Sequence, residues 1–100
     1  MVDVERPGDL DETVLDGNAA GGALAAAFGR EMTEVPGRCA HCGTVSVVAE
    51  LRAWVGGPGI VLRCPVCAGV VLRIVEAPSG TLVDARGAAS FRFGRDDLVG

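Results

Sequence analysis

The sequence predicts a small α+β protein in which one short N-terminal helix precedes an antiparallel β-sheet. Three observations support this fold class. Apolar side chains recur at helical spacing in residues 18–29, apolar and polar side chains alternate along residues 44–55, and four cysteines form two Cys-x-x-Cys pairs. A chain of 100 residues has the length of one domain with one modest core.

The composition indicates that the apolar core needs help from another source of stability. The chain contains 15 glycines and no tyrosine, and its aromatic residues are Phe28, Trp54, Phe91 and Phe93. Small side chains bury little apolar area per residue. A bound metal ion would therefore help such a chain to fold.

The charges are unevenly distributed along the chain. All nine basic residues are arginines, and the net charge of −4 disfavours general nucleic-acid binding, which needs a basic surface. Residues 1–35 carry eight acids and two arginines, whereas residues 36–95 carry seven arginines and three acids. This asymmetry has two interpretations: an ordinary solvated surface, or an acidic N-terminal segment that docks on, or guards, an arginine-bearing sheet.

We expect a cytoplasmic protein with no membrane association. The N-terminus lacks a charged region followed by an apolar stretch, and the weakly apolar run of residues 17–29 is too short to span a bilayer. Thiols stay reduced in the cytoplasm, where paired cysteines hold metal ions more often than they form disulfides.

The chain divides into four predicted parts. Residues 1–16 are acidic and weakly periodic, and we expect a flexible arm there. Residues 17–35 supply a helix and a connector that pack on the sheet. Residues 36–95 form the metal-binding domain, and residues 96–100 form a polar C-terminal tail.

The predicted helix is short. Asn18 is the expected N-cap, and Gly29 is a natural C-terminal stop. Leu24 and Phe28 lie four residues apart, and we expect them to share the buried face.

Several strands are predicted in the second half. In residues 44–55, one face is expected to carry Val45, Val47, Ala49, Leu51, Ala53 and Val55, as in a half-buried strand. A turn follows at residues 56–59. Further strands are predicted at residues 60–63, 70–77 and 81–87, with an edge strand at 90–94.

The two cysteine pairs predict one structural Zn²⁺ ion bound by Cys39, Cys42, Cys64 and Cys67. Two residues between paired cysteines allow a tight turn that presents both sulfurs to one ion, and zinc takes four such ligands in a tetrahedron. Gly43 and Gly69 are expected to supply the positive φ that such turns need. The hairpin of residues 44–63 is expected to bring the two pairs together.

Two other uses of the cysteines are possible but are less favoured. A redox dithiol needs only one pair, and no helix is predicted after either pair to lower a thiol pKa. An iron centre of the rubredoxin type is wrapped in aromatic residues that this chain lacks. Four sulfurs close the coordination shell, so a bound zinc ion would be structural.

No enzymatic site is predicted. His41 is the only histidine, and its place inside the first cysteine pair predicts an exposed turn residue. A Ser/His/Asp or Cys/His arrangement has no other imidazole to use as its base.

Arg52, Trp54, Arg63 and Arg73 form a candidate interaction surface. Together they could bind a protein partner, or stack on bases and contact phosphates as nucleic-acid-binding proteins do. The alternative is a solvated strand face in which arginine stems cover small core residues. We expect an adaptor that binds a protein partner, with a regulatory nucleic-acid-binding role as the alternative.

The cysteine pairs and their strands resemble the zinc-ribbon superfamily over residues 36–90. That resemblance implies a small antiparallel sheet carrying two zinc knuckles, and a metal-binding role for the four cysteines. Residues 14–90, through "LDGNAAGGALAAAFGREMT", "RCAHCG" and "LRCPVCAGVVLRIVEAPSG", also resemble a family of short actinobacterial proteins of unknown function. Neither resemblance implies a particular activity, because one fold serves many functions.

Overall fold

A computed structural model describes residues 13–57 and 59–94 of the chain. These residues form two antiparallel sheets and one short α-helix, which confirms the predicted α+β class. The predicted C-terminal tail and most of the predicted N-terminal arm lie outside the described residues. The last four residues of that arm, Thr13–Asp16, form a strand.

The larger sheet has five strands in the order β1-β4-β5-β6-β7, and each pairs antiparallel with its neighbour. Their bounds are Thr13–Asp16, Arg52–Gly56, Gly59–Arg63, Val70–Ala77 and Gly80–Asp84. One face of this sheet lines the core. Its central residues are at most 1% exposed: Ala53, Leu62, Leu72 and Ile74.

The smaller sheet has three strands in the order β3-β2-β8. They are β2 (Pro36–Cys39), β3 (Val45–Val47) and β8 (Ala88–Phe91). The sequence assigned no strand to residues 36–39, where proline and glycine weaken the strand signal. The strand exists because it lies between two partners that share its backbone hydrogen bonds.

The single strand predicted for residues 44–55 is wrong. The chain leaves the smaller sheet after Val47, makes a 3₁₀ turn at Val48–Glu50 and joins the larger sheet at Arg52. The amides of Val48 and Ala49 donate to the carbonyls of Val35 and Thr33, which lie in the segment before β2. In a continuous strand, these amides would instead be available to a neighbouring strand of a sheet. Val48, which the predicted alternation leaves on the opposite, outer face of that strand, is buried instead.

The α-helix, α1, spans Gly21–Phe28 and follows a 3₁₀ turn at Gly17–Ala20. The N-cap of α1 is Ala20 rather than the predicted Asn18, and it makes no side-chain cap hydrogen bond. Asp16 caps the preceding 3₁₀ turn, where its carboxylate accepts a hydrogen bond from the Asn18 amide at 3.0 Å. Gly29 ends the helix with φ 75°, as predicted.

The two residues expected to share the buried face of α1 differ in burial. Leu24 is fully buried in the core, whereas Phe28 is 42% exposed. Among the described residues, no helix is long and apolar enough to cross a membrane.

Glycine is required at position 17 because the first 3₁₀ turn packs against the second one. A Cβ at Gly17 would lie 1.7 Å from the Val48 carbonyl oxygen, whereas a Cβ at Gly22 meets nothing within 4 Å. We predict that Gly17→Ala lowers the free energy of unfolding by at least about 2 kcal/mol, since backbone must move.

Gly22→Ala is the matched control, and we expect it to raise that free energy by up to about 1 kcal/mol, because alanine is the better helix former. Denaturant unfolding of the two variants measures both values. Equal effects at the two positions would contradict the packing described here.

Candidate metal centre

Each cysteine pair forms the turn of a β-hairpin. The first knuckle, Cys39–Cys42, connects β2 to β3 in the smaller sheet, and the second, Cys64–Cys67, connects β5 to β6 in the larger sheet. The sequence predicted that one hairpin of residues 44–63 would bring the pairs together. Instead, two separate hairpins from two sheets meet at the cysteines.

The four cysteine sulfurs converge on one point. Their Sγ atoms all lie within 4.8 Å of one another, and the pairs Cys39–Cys67 and Cys42–Cys64 are each 3.7 Å apart. A regular tetrahedron with metal–sulfur distances of about 2.3 Å has sulfur–sulfur edges of about 3.8 Å. The four thiols therefore fit a tetrahedral metal ion.

The cluster lies at the boundary between core and surface. Each knuckle contributes one buried sulfur and one exposed sulfur: Cys39 and Cys64 are buried, and Cys42 and Cys67 are exposed. The two 3.7 Å contacts each join a buried cysteine of one knuckle to the exposed cysteine of the other. A metal ion bound here would link the two hairpins through both.

The two knuckles have the same backbone hydrogen bonds. The amide of the first cysteine donates to the carbonyl five residues later, at 2.9 Å in both cases: Cys39 to Thr44, and Cys64 to Gly69. A second bond, also 2.9 Å, runs from the residue after the second cysteine back to the carbonyl of the first. These bonds hold each turn in the shape that aims both sulfurs inward.

Backbone amides also point at the sulfurs. The amides of His41 and Val66 each lie 3.4 Å from the first sulfur of their own knuckle, and the Gly69 amide lies 3.4 Å from Cys67 Sγ. Amide hydrogen bonds of this kind offset negative charge on thiolates and orient them as ligands.

The positive φ needed by each turn falls on the residue directly after the second cysteine. Gly43 has φ 81°, as predicted, but the equivalent residue of the second knuckle is Ala68, with φ 66°. The prediction that Gly69 supplies this conformation is wrong.

Gly69 has a different role. A Cβ on it would lie 2.5 Å from the His41 ring, so glycine there leaves room for the imidazole. His41 is solvent-exposed as predicted, but it does not simply point away from the protein. Its Nε2 lies 3.1 Å from the Val70 carbonyl oxygen, to which it donates, so that the first knuckle is bonded to the flank of the second.

An arginine directly precedes each knuckle and closes it. Arg38 Nη1 donates to the Gly43 carbonyl at 3.0 Å, and Arg63 Nη1 donates to the Ala68 carbonyl at 2.9 Å. Four thiolates around a divalent ion carry a formal charge of −2, which cations close to the turns offset. Sequence reasoning missed this role for Arg38, although the shared pattern Arg-Cys-x-x-Cys was the signal for it.

The pKa values of the exposed thiols are shifted in opposite directions. The Thr44 hydroxyl, 3.1 Å from Cys42 Sγ, and the Thr44 amide lower the pKa of the Cys42 thiol to about 6. For Cys67, the Gly69 amide acts to lower the pKa, but burial and the three neighbouring thiols raise it to about 11. Hydrogen bonds from Thr44 stabilise the Cys42 thiolate, whereas hydrogen bonds with the neighbouring sulfurs favour the protonated form of Cys67. A bound cation would favour the thiolate form of both residues.

The candidate interaction residues lie together on the outward face of the larger sheet. Cross-strand partners share a face, and the register aligns Val14, Trp54, Val61, Arg73 and Asp84 in one row across all five strands. A second row aligns Asp16, Arg52 and Arg63. We call these two rows, with the adjacent pair Val75 and Leu82, the Trp54 face.

The Trp54 face is exposed and mixed in character. Its apolar side chains include Val14, 49% exposed, and Leu82, 61% exposed. The Arg63 guanidinium lies 5.5 Å from the centroid of the Trp54 ring, a cation–π contact. The Asp84 carboxylate forms an ion pair with Arg86, whose hydrogen bonds hold the pKa of Asp84 well below its usual range.

The strained residue of the second knuckle leads to a prediction. A left-handed conformation costs about 1–2 kcal/mol for a residue with a Cβ, and glycine avoids this cost. We therefore predict that Ala68→Gly raises the free energy of unfolding of the metal-bound protein by about 1 kcal/mol.

Gly43→Ala, the reciprocal change in the first knuckle, is expected to lower the free energy of unfolding by about 1–2 kcal/mol. Thermal or denaturant unfolding at fixed metal concentration measures both. A stabilising Gly43→Ala, or a strongly destabilising Ala68→Gly, would contradict the equivalence of the two turns.

The comparisons with known proteins reveal a family but no activity. No curated protein and no solved structure matches the chain. The model of one family, described as a family of unknown function, DUF6510, matches residues 10–96, a range that contains both knuckles and the Trp54 face. Because the family model covers most of its length, the chain belongs to the DUF6510 family.

Proposed function

We propose that this protein is a zinc-stabilised protein-interaction module of the zinc-ribbon type. The observation that carries the proposal is the meeting of two equivalent knuckles at sulfur–sulfur distances of 3.7 Å, on a fold that presents the Trp54 face to solvent. The metal would stabilise the fold, and the outer face would bind the partner.

Zinc is the metal that suits this site. Its four donors are all thiol sulfurs, and four-cysteine tetrahedral sites are a common form of structural zinc site. The closed coordination shell would leave no position for a reacting water, so we propose a structural ion and no enzymatic activity. His41, the only histidine in the sequence, supports this view because its Nε2 is bonded to a backbone carbonyl.

Elemental analysis of the purified protein tests the metal. We expect one zinc ion per chain and cooperative unfolding on treatment with a strong chelator, since structural zinc contributes about 10–16 kcal/mol in small domains. Cys64→Ser should lose zinc and the cooperative transition, because Cys64 is a buried ligand that joins the core to the site.

Ser46→Ala, a small change outside the knuckles, is the control and should retain one zinc ion. A compact, metal-free wild-type protein with all thiols reduced would overturn the proposal. Stoichiometric iron in place of zinc would overturn the choice of metal but not the site.

The residue types of the Trp54 face support a role in protein binding. Tryptophan and arginine are enriched at protein–protein interfaces and dominate their binding energy, whereas lysine is depleted. Arg52, Arg63 and Arg73 surround a half-buried tryptophan, with exposed valine and leucine side chains beside it. The mixture suits a partner that offers both carboxylates and apolar side chains.

Affinity capture from cells of the native host, with quantitative mass spectrometry, tests this role. We expect the wild type and Arg92→Ala to capture the same amount of a partner protein. Trp54→Ala and Arg52→Ala should each reduce the amount captured by at least about tenfold. Arg92 is the matched control because it is an exposed arginine outside the Trp54 face. Equal recovery with all four proteins would show that the face is not the binding surface.

Nucleic-acid binding is the second candidate, and one observation favours it. The Trp54 ring lies on an outward face beside Arg52, Arg63 and Arg73, an arrangement that allows stacking and phosphate contacts. Electrostatic affinity is greatest at low salt, so the absence of a gel shift there would exclude this role. A shift that Arg52→Ala abolishes and Arg92→Ala preserves would replace the protein-binding proposal.

We also propose a cytoplasmic location. The cysteines are all free thiols in this fold, and a reducing compartment keeps them available for a metal ion.

A further inference from the structure

We propose that the acidic segment of residues 1–12 binds the Trp54 face of its own chain. Three features support this interaction: the charge and apolar surface of the face, the sequence of the segment, and the point at which the two are joined.

The Trp54 face has cationic groups that its own neighbours do not fully neutralise. Arg52 and Arg63 are direct cross-strand partners, so two positive charges lie side by side, with Asp16 next to Arg52 only. Arg73 lies opposite Asp84, but that carboxylate already accepts hydrogen bonds from Arg86. Like charges on adjacent positions of a sheet repel each other, and a further anion would relieve that repulsion.

The same face also exposes apolar surface. Val14 and Leu82 are roughly half or more exposed, and Trp54 and Val61 lie between them, only partly buried. An occupant that carries only carboxylates would leave this surface in water. The face therefore fits a segment in which acidic and apolar residues are interleaved.

Residues 1–12, "MVDVERPGDLDE", have that pattern. The segment carries five acids and one arginine, a net charge of −4 from its side chains. Val2 and Val4 alternate with Asp3 and Glu5, and Leu10 lies between two aspartates. The rest of the sequence has no comparable acidic segment: residues 13–35 contain three acids, residues 36–95 three and residues 96–100 two.

Residues 1–12 join the fold next to the Trp54 face, so the proposed contact needs no long linker. The segment leads directly into Thr13, the first residue of β1, and β1 pairs with β4, the strand that carries Arg52 and Trp54. Arg73 lies on β6, three strand spacings from β1, or about 14 Å. Twelve residues reach up to about 40 Å when extended, so the whole face is within range.

Tethering compensates for weak individual contacts. A short linker gives two joined groups an effective concentration in the millimolar range, so an interaction with a millimolar dissociation constant is already substantially occupied. A separate protein or a nucleic acid that uses the Trp54 face must displace the segment. The apparent affinity of that protein or nucleic acid for the face is then lower, the more often the segment occupies it.

The proposal does not depend on the identity of the metal or on the existence of a separate partner. If no partner is captured, the intramolecular contact still stands, and if the contact is absent, the face still has the composition of a binding surface. The two proposals can therefore fail independently.

The 100-residue chain allows a direct test, because Trp54 is its only tryptophan and reports on the face. One variant replaces Asp3, Glu5, Asp9, Asp11 and Glu12 by Asn or Gln, and a second is Arg52→Gln/Arg73→Gln. At low salt we expect both to shift the indole N–H resonance of Trp54 and to increase its quenching by acrylamide. Arg92→Gln, the matched control, should leave both unchanged.

A synthetic peptide of residues 1–12 provides the second arm. Added to the variant with the neutralised segment, this peptide should restore the wild-type indole resonance, and the effect should saturate. Introduced singly into that variant, Arg52→Gln and Arg73→Gln should each lower its affinity for the peptide by about two- to fivefold. Salt at about 1 M should abolish the effect, because the Debye length is then about 3 Å.

Two results would overturn the proposal. The first is a Trp54 resonance and quenching constant that are the same in the wild type and the variant with the neutralised segment at low salt, with zinc content unchanged. The second is a difference that grows with protein concentration, which would identify a second copy of the chain as the occupant of the face.

Discussion

The four-sulfur cluster is the constraint on which the rest of this structure depends. Two hairpins from two different sheets contribute one knuckle each, and the sulfurs of one knuckle lie 3.7 Å from those of the other. Cys39 and Cys64 are also members of the apolar core, so the metal site and the core are continuous. In a chain rich in alanine and glycine, coordination of a metal ion by these sulfurs would replace some of the missing apolar contacts between the two sheets.

The two knuckles have the same local structure and are formed by nearly the same residues. Both knuckles follow an arginine that donates to the turn, both have the same pair of 2.9 Å backbone hydrogen bonds, and both place a positive φ after the second cysteine. They differ where they meet. His41 of the first knuckle lies over Gly69 beside the second, and this asymmetric contact supplements the shared metal site.

Spacing and alternation predicted the parts of the fold that depend on local sequence. The cluster of four cysteines, the strand at residues 70–77 and the end of the helix at Gly29 all have local signals, and the structure has them at those positions. The failures depend on tertiary contacts. The Val48 amide donates to the carbonyl of Val35 instead of to a sheet neighbour, and Gly69 is needed for a ring 28 residues away in the sequence. No local pattern encodes either contact.

Arg63 gives the metal site an influence on the protein surface. Its guanidinium donates to the Ala68 carbonyl of the second knuckle and at the same time lies 5.5 Å from the centroid of the Trp54 ring. If the second knuckle lost a bound ion and its shape, the carbonyl that positions this guanidinium would move, and the cation over the indole would move with it. A change in the geometry of the second knuckle would therefore reach the outer face of the larger sheet, because one side chain contacts both places.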